Sequence, residues 1–245
     1  MRADGPSVSP EARSTVTRSF EHVGRVPLED VKFHFDPRCP WCYQTSRWAR
    51  RLEELGEIEL EWGVFSLEVV NLEEGKDPRE LDAQSGPALR TAIMIRDSLG
   101  AKAIGPFYAA LGRRIWEAPP FPDDPVVAVR EALGEAGLDP GLCDKALADE
   151  QSWDAVLAEH DALVEQTGSF GVPTMVLDAG TGPAIFGPVI SVLPSDEDAV
   201  MLWRHTVGLM RYGNFSELKR SRALPPDLPT ATWYREQREQ KKADS

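Results

Sequence analysis

Two cysteines with two residues between them, Cys39 and Cys42, are the side chains of this chain best suited to redox chemistry. Residues 31–35 alternate apolar and polar side chains and predict a strand, while the residues after the pair have helical spacing of apolar side chains. The pair therefore lies where a helix begins, and the unpaired N–H groups and the dipole there favour a thiolate over a thiol. We predict that Cys39 is the attacking thiolate and Cys42 the resolving thiol.

The two residues between the cysteines are compatible with this arrangement. Pro40 suits the first helical position, because the N–H that proline lacks would have no partner there. Trp41 offers an aromatic face to a flat substrate, and packing against neighbouring helices is an equally open interpretation. Arg38 places a positive charge next to Cys39.

The rest of the sequence disfavours other roles for the cysteine pair. A structural zinc site needs four ligands, and the chain has one further cysteine, Cys143, and four histidines without ligand spacing. We therefore expect no metal, and Cys143 to be a small packed hydrophobe. A structural disulfide is disfavoured, because the loop would be very short and nothing indicates an oxidising compartment. Chance occurrence of the spacing is the remaining alternative.

Charge and hydropathy exclude several classes of function. The chain has 245 residues, 42% of them hydrophobic, and a formal net charge of −13. This acidity argues against binding to nucleic acids and to anionic membrane surfaces. We see no apolar run that approaches the length of a membrane span and no core of a signal peptide in the first 21 residues, so we expect a cytoplasmic protein.

The predicted elements follow the order β-α-β, a helical block, then β-β-α. Strands are predicted at residues 31–35, 58–64, 171–177 and 184–186, and a closing helix at 196–211. This order predicts an α/β protein with a thioredoxin-like fold and a large all-helical insertion between its two halves. The predicted divisions are a disordered extension at 1–28, a thioredoxin-like domain at 29–70 and 169–222, a helical insertion at 71–168 and a tail with little core contribution at 223–245.

Pro173 stands at the start of the third predicted strand, where the lack of an N–H is tolerated. In a thioredoxin-like fold the Val172–Pro173 bond would be cis and would face the cysteines. The Val172 backbone would then be aimed at an incoming disulfide or thiol conjugate. An ordinary trans proline at a strand edge is the alternative.

Residues 35–42, together with 45–48, resemble the DsbA-like thioredoxin-fold proteins of mycothiol-using bacteria, and most of all the mycothiol-dependent nitroreductase group. The further segments that carry the resemblance are 66–71, 171–174, 186–189 and 217–220. It implies an oxidoreductase without a tightly bound cofactor, in which mycothiol or another low-molecular-weight thiol attacks an exposed Cys39 sulfur. Electrons would pass to a disulfide or a nitro compound. Asn71 is a polar substrate anchor by resemblance, with a turn residue as the alternative.

The resemblance leaves parts of the chain and of the function open. Residues 72–86 match poorly, although family members line the substrate cleft with that region. A general protein disulfide oxidoreductase or isomerase and a non-enzymatic redox-sensing protein are the alternative functions, and a homodimer is one option for the assembly. A kappa-class glutathione transferase or hydroxychromene-carboxylate isomerase is disfavoured by Cys42. The basic cluster at 217–222 either caps the C-terminal region or attracts an anionic substrate.

Overall fold

A computed structural model describes residues 28–168 and 170–243. The strands in these residues are β1 (Glu29–Phe35), β2 (Ile58–Val64), β3 (Thr174–Leu177) and β4 (Ala184–Phe186). They form one mixed sheet in the order β2-β1-β3-β4. The pair β1 and β2 is parallel, as expected of strands joined through a crossover helix, whereas β3 is antiparallel to both β1 and β4.

Helices surround this sheet and also form a block between β2 and β3. The helices are α1 (Pro40–Glu54), α2 (Leu67–Val70), α3 (Gly86–Leu99), α4 (Ile104–Trp116), α5 (Pro125–Glu135), α6 (Gly141–Ala148), α7 (Glu150–Thr167), α8 (Asp196–Arg211) and α9 (Pro229–Ala243). The inserted block comprises α3 to α7, and α8 closes the second half of the fold. The predicted thioredoxin-like fold with an all-helical insertion is therefore confirmed.

A cluster of buried aromatic rings joins the insertion to the sheet. Tyr108 of α4 stacks on Phe35 at the end of β1, with 3.8 Å between the ring centroids. The same ring meets Trp62 of β2 edge-on at 5.4 Å. Such pairs contribute about 0.5–1.5 kcal/mol beyond the burial of their area. The end of β1 that leads into the cysteines is thus covered by the helical block.

The helix α1, which carries the cysteines, is held on another side by the C-terminal part of the chain. Three of its side chains donate hydrogen bonds to backbone carbonyls there: Gln44 to Ser191 (3.0 Å), Thr45 to Pro188 (3.0 Å) and Trp48 to Ala199 (3.2 Å). Each donor side chain is buried. Breaking one of these hydrogen bonds would leave a buried polar group without a partner, at a cost of about 1–3 kcal/mol in stability. The bonds therefore fix the position of α1.

The C-terminal region differs from its prediction as a tail with little core contribution. It contains α9, and Leu228 and Thr230 at the beginning of that helix are buried. Tyr234 packs edge-on against Phe121 with 5.9 Å between their centroids. The physical reason is that this segment packs through contacts with distant parts of the chain, such as Phe121, which its highly charged local sequence does not reveal.

The predicted extension at 1–28 lies outside the described residues, except for its last residue. Within 28–168 and 170–243, no helix has both the length and the apolar character that a membrane span requires.

Candidate functional site

Cys39 is the N-cap residue of α1, and its sulfur faces the first turn of that helix. Its backbone is extended, with φ −87° and ψ 110°, and Pro40 follows at the first helical position. The backbone N–H of Cys42 donates a hydrogen bond of 3.3 Å to the Cys39 sulfur. The cap that a Ser or Asp oxygen usually provides is thus made by a sulfur, a group that can also act as a nucleophile.

The segment before the third strand lies against this sulfur. The Cys39 thiol donates a hydrogen bond of 3.6 Å to the carbonyl oxygen of Val172, and the Val172–Pro173 peptide bond is cis. Cys39 is 4% exposed, so the sulfur is buried rather than exposed as the sequence-based mechanism assumes. The Val172 carbonyl is one of the groups that lie against it, and sequence spacing does not reveal this long-range contact.

The second cysteine, Cys42, is completely buried in α1. Burial raises the pKa of its thiol well above the ordinary value, and the neighbouring Cys39 sulfur raises it further. The two thiols therefore differ in their surroundings, because only Cys39 receives the Cys42 N–H. Such a difference suits a pair in which one sulfur attacks and the other stays protonated until it is needed.

Asp36 is a buried residue of the site to which the sequence pattern gave no role. Its carboxylate accepts the backbone N–H of Arg38 and that of Leu67, each at 2.8 Å, and its own carbonyl accepts the Cys39 N–H at 3.0 Å. Burial, the largest cause, raises the pKa of Asp36 to about 6. The position of an acid at the end of an apolar strand, three residues before the first cysteine, is a signal that could have revealed it.

The helical insertion also contacts the turn that carries the cysteines. The indole N–H of Trp116, at the end of α4, donates a hydrogen bond of 2.9 Å to the carbonyl oxygen of Pro37. Phe121, in the connection after α4, packs against the Trp116 ring and lies 5.7 Å below the Arg38 guanidinium. Neither residue was predicted from the sequence, since neither belongs to a motif around the cysteines.

The other predicted site residues are distributed unequally around the pair. Trp41 is half-buried, and the guanidinium of Arg222 lies 5.0 Å above its ring. Asn71, in contrast, is exposed, and its amide donates to the carbonyl of Leu67 at 2.6 Å, within its own turn. The structure therefore brings Cys39, Cys42 and Val172 together, while Asn71 is joined to them through the Leu67–Asp36 hydrogen bond.

The third cysteine and a metal site are other candidates for chemistry in this chain. Cys143 is completely buried in α6, where burial raises the pKa of its thiol. In the part of the chain that the structure describes, no group of three or more His, Cys, Asp or Glu side chains could hold a metal ion.

Comparisons with known folds agree with this architecture. The cytosolic disulfide reductase DsbM from Pseudomonas aeruginosa, solved with GSH, matches with a TM-score of 0.51 and 16% identity over 73% of this chain and 99% of that chain. A 2-hydroxychromene-2-carboxylate isomerase matches with a TM-score of 0.51 and 19% identity over 74% of this chain and 96% of that chain. At these identities the similarity shows the shared fold alone.

Comparisons of sequence find a relative and a family for this chain. The uncharacterized protein Rv2286c of Mycobacterium tuberculosis is 36% identical over 202 residues, which cover 82% of this chain and 85% of that protein. Residues 38–220 match the model of a family described as Rv2466c-like, mycothiol-dependent nitroreductase Rv2466c. This match includes both cysteines, Val172 and the whole helical block, and the chain therefore belongs to the Rv2466c-like family.

Proposed function

We propose that this protein is a thiol-disulfide oxidoreductase whose Cys39–Cys42 pair alternates between a dithiol and a disulfide. Mycothiol or another low-molecular-weight thiol reduces the pair, which passes the electrons to a disulfide or a nitro compound. The observation that supports this most is the position of the Cys39 sulfur, between the Cys42 N–H and the Val172 carbonyl oxygen. The family description supports mycothiol as the donor.

Reduction of the enzyme consumes two thiols. The thiolate of the first attacks the Cys39 sulfur, the Cys39–Cys42 bond breaks, and Cys42 leaves as a thiolate that takes up a proton. A second thiolate attacks the donor sulfur of the mixed disulfide, which releases the oxidised donor and the Cys39 thiolate. In total, the enzyme disulfide and two thiols give the enzyme dithiol and one donor disulfide.

Oxidation of the enzyme returns the two electrons to an acceptor. With a disulfide acceptor, the Cys39 thiolate attacks one sulfur and the other leaves as a thiol after protonation. Cys42 then loses its proton, attacks Cys39 and releases the second thiol. With a nitro compound, the dithiol gives two electrons and two protons, so that the nitro group becomes a nitroso group and water while the enzyme disulfide forms.

The proton of Cys42 needs an acceptor in this second half of the cycle, because the thiol is buried and its pKa is raised. Asp36 is a buried carboxyl whose pKa is raised to about 6, so it can take up and release a proton near neutral pH. Its charge is also among the causes that raise the pKa of Cys42. We assign Asp36 the role of proton acceptor for Cys42.

Substrate contacts are assigned to the residues around the sulfur. Pro40 and Trp41 border Cys39 on α1, and the half-buried indole of Trp41 offers a face on which a flat substrate can stack. The backbone of Val172, before Pro173, offers an acceptor next to the sulfur. The exposed amide of Asn71 is proposed as a polar anchor at the edge of the cleft.

The proposal is tested by comparing electron donors on one chromogenic acceptor. Mycothiol, glutathione and thioredoxin with NADPH are each tested with the wild-type protein and with three variants: Cys39→Ser, Cys42→Ser and, as a matched control for a buried cysteine, Cys143→Ser. We expect the fastest turnover with mycothiol, none with Cys39→Ser, and unchanged turnover with Cys143→Ser. When pre-reduced Cys42→Ser is mixed with a disulfide acceptor without donor, it should stop as a mixed disulfide between Cys39 and the acceptor, visible by mass spectrometry, because no second enzyme thiol releases the acceptor. If Cys39→Ser stays active, the assignment is wrong.

The alternative functions give different results in the same system. A general protein disulfide oxidoreductase or isomerase would refold a scrambled protein substrate faster than it turns over small acceptors. A redox-sensing interaction protein would form a partner complex in one redox state, without multiple turnover. We also propose a cytoplasmic location, since low-molecular-weight thiols and thioredoxin keep that compartment reducing.

A further inference from the structure

The guanidinium of Arg222 lies over the ring of Trp41, at 5.0 Å from its centroid. Trp41 lies between the two cysteines in sequence, so this contact brings a positive charge from the far end of the chain to the candidate active site. The ring quadrupole attracts a cation in this position. Arg222 itself is exposed, and the edge of its guanidinium keeps N–H donors for another group.

The position of Arg222 is set by the anchoring of its segment. Residues 213–228, between α8 and α9, contain no helix or strand. The carbonyl of Leu224 accepts a hydrogen bond of 2.9 Å from the Ser191 hydroxyl, and the N–H of Asp227 donates to the Ser191 carbonyl at 2.8 Å. That same carbonyl accepts the Gln44 amide of α1. The segment is therefore tied to the redox helix two residues after Arg222.

Arg222 has no carboxylate partner within the part of the chain that the structure describes. The chain has 40 acidic and 27 basic residues, and most arginines of the described part form ion pairs with carboxylates. Within residues 28–168 and 170–243, no carboxylate lies within ion-pair distance of the exposed cations Arg38 and Arg222, a property that other exposed cations such as Arg238 share. Arg38 directly precedes Cys39 and Arg222 lies over Trp41, so two unpaired cations adjoin residues of the cysteine motif.

We propose that Arg222, stacked on Trp41, binds an anionic group of the electron acceptor, and that this acceptor carries a carboxylate, phosphate or sulfonate close to its reducible bond. This inference rests on the proposed function, because the anion is placed relative to Cys39. A guanidinium positioned over an aromatic ring can bind such groups with two parallel hydrogen bonds. Arg38, next to Cys39, offsets part of the repulsion that the net negative charge exerts on an anion. Arg222 lies outside the segment that the family model matches, residues 38–220.

The test compares two chromogenic disulfides that differ in charge. Dithiobis(nitrobenzoate) carries two carboxylates, whereas dithiodipyridine is neutral, and each oxidises one enzyme dithiol to the disulfide with release of two coloured thiols. The pre-reduced protein is mixed with each disulfide in single-turnover experiments, so that no thiol donor is needed. The variants are Arg222→Met, Arg222→Lys and the matched control Arg238→Met, which removes another exposed arginine in α9.

We expect Arg222→Met to lower the rate with the dianionic disulfide by about 10-fold and the rate with the neutral disulfide by less than about 2-fold. Arg222→Lys should restore part of the loss, Arg238→Met should change neither rate, and added salt should reduce the difference between wild type and Arg222→Met.

Three results would overturn the inference. If Arg222→Met lowers both rates equally, Arg222 only supports Trp41, and if it changes neither rate, no anion is bound there. In both cases the wild-type protein still reacts with the neutral disulfide, and the proposed redox function stands. If the wild-type dithiol reacts with neither disulfide, the redox function fails and the anion site fails with it.

Discussion

The backbone N–H of Leu67 donates a hydrogen bond of 2.8 Å to the buried carboxylate of Asp36. Through this bond the turn that precedes the cysteines is joined to the first turn of α2. The second carboxylate oxygen accepts the Arg38 N–H, so two backbone donors depend on one side chain. Because this carboxyl is completely buried, its ionisation is linked to the stability of the fold.

The first prediction concerns the pH dependence of stability. The pKa of Asp36 is raised from 3.8 to about 6 by burial, so the folded protein binds more protons than the unfolded chain between these values. The contribution of Asp36 to the free energy of unfolding therefore falls as the pH rises through this range. We expect Asp36→Asn to remove this contribution. Between about pH 4 and about pH 7, the free energy of unfolding of wild type should therefore fall by about 3 kcal/mol relative to that of the variant. Urea titrations across this pH range measure the free energy of unfolding of both proteins. If it depends on pH in the same way in wild type and in Asp36→Asn, the prediction is wrong.

The second prediction concerns the reactivity of the two thiols. Because burial raises the pKa of Cys42 well above its usual range, Cys42 is almost entirely protonated at neutral pH. We expect iodoacetamide to modify Cys39 in the folded, reduced protein and to modify Cys42 in Cys39→Ser at least about 10-fold more slowly. Mass spectrometry of digested samples locates the modification, with the buried Cys143 as an internal control. Equal rates at both positions would remove the distinction between attacking and resolving sulfur.

The third prediction separates the role of Trp116 at the site from its role in stability. Trp116→Phe removes the indole N–H that donates to Pro37 and leaves that carbonyl without this donor, at a cost of about 1–3 kcal/mol. Trp153→Phe is a matched control, because its indole N–H donates to the carbonyl of Pro78 at 3.0 Å, away from the cysteines. We expect both variants to lose stability, and Trp116→Phe alone to lower turnover at saturating donor. Equal turnover in the two variants would show that the Pro37 contact has no part in the reaction.

The fourth prediction concerns the close approach of the insertion to the redox helix. A Cβ atom at position 112 of α4 would overlap the ring of Tyr43 in α1. Gly112→Ala must therefore displace the buried Tyr43 ring or the helix that carries it, at a cost of about 1–3 kcal/mol. Gly208→Ala in α8 meets no atom within 4 Å and should increase the free energy of unfolding by up to about 1 kcal/mol. Thermal unfolding of both variants measures the contrast, and a neutral Gly112→Ala would mean that the helices are not packed as described.

The parts of this protein that depend on local order could be predicted from its sequence. The period of apolar side chains located β2 at residues 58–64 and the closing helix at 196–211, and the order of elements determined the fold class. The site of the cysteines at a helix N-terminus was predictable for the same reason, because a strand signal ends and a helix signal begins around them.

The contacts between distant segments could not be predicted in this way. Asp36 is tied to Leu67, Pro37 to Trp116 and Trp41 to Arg222, and no period or spacing in the sequence relates the members of these pairs. The Cys39 sulfur is buried and bonded to Val172 in the same way, whereas the family resemblance implied an exposed sulfur. Local patterns thus identify the reactive group, and tertiary contacts decide its surroundings.

The three hydrogen bonds from α1 to the C-terminal part of the chain hold one side of this helix in place. The inserted helices support α1 at two further places, where Trp116 bonds to Pro37 and where Gly112 lets Tyr43 pack closely. Substitutions elsewhere in the insertion therefore leave all these supports intact, and the insertion can diverge at those positions while the helix that carries the cysteines keeps its place.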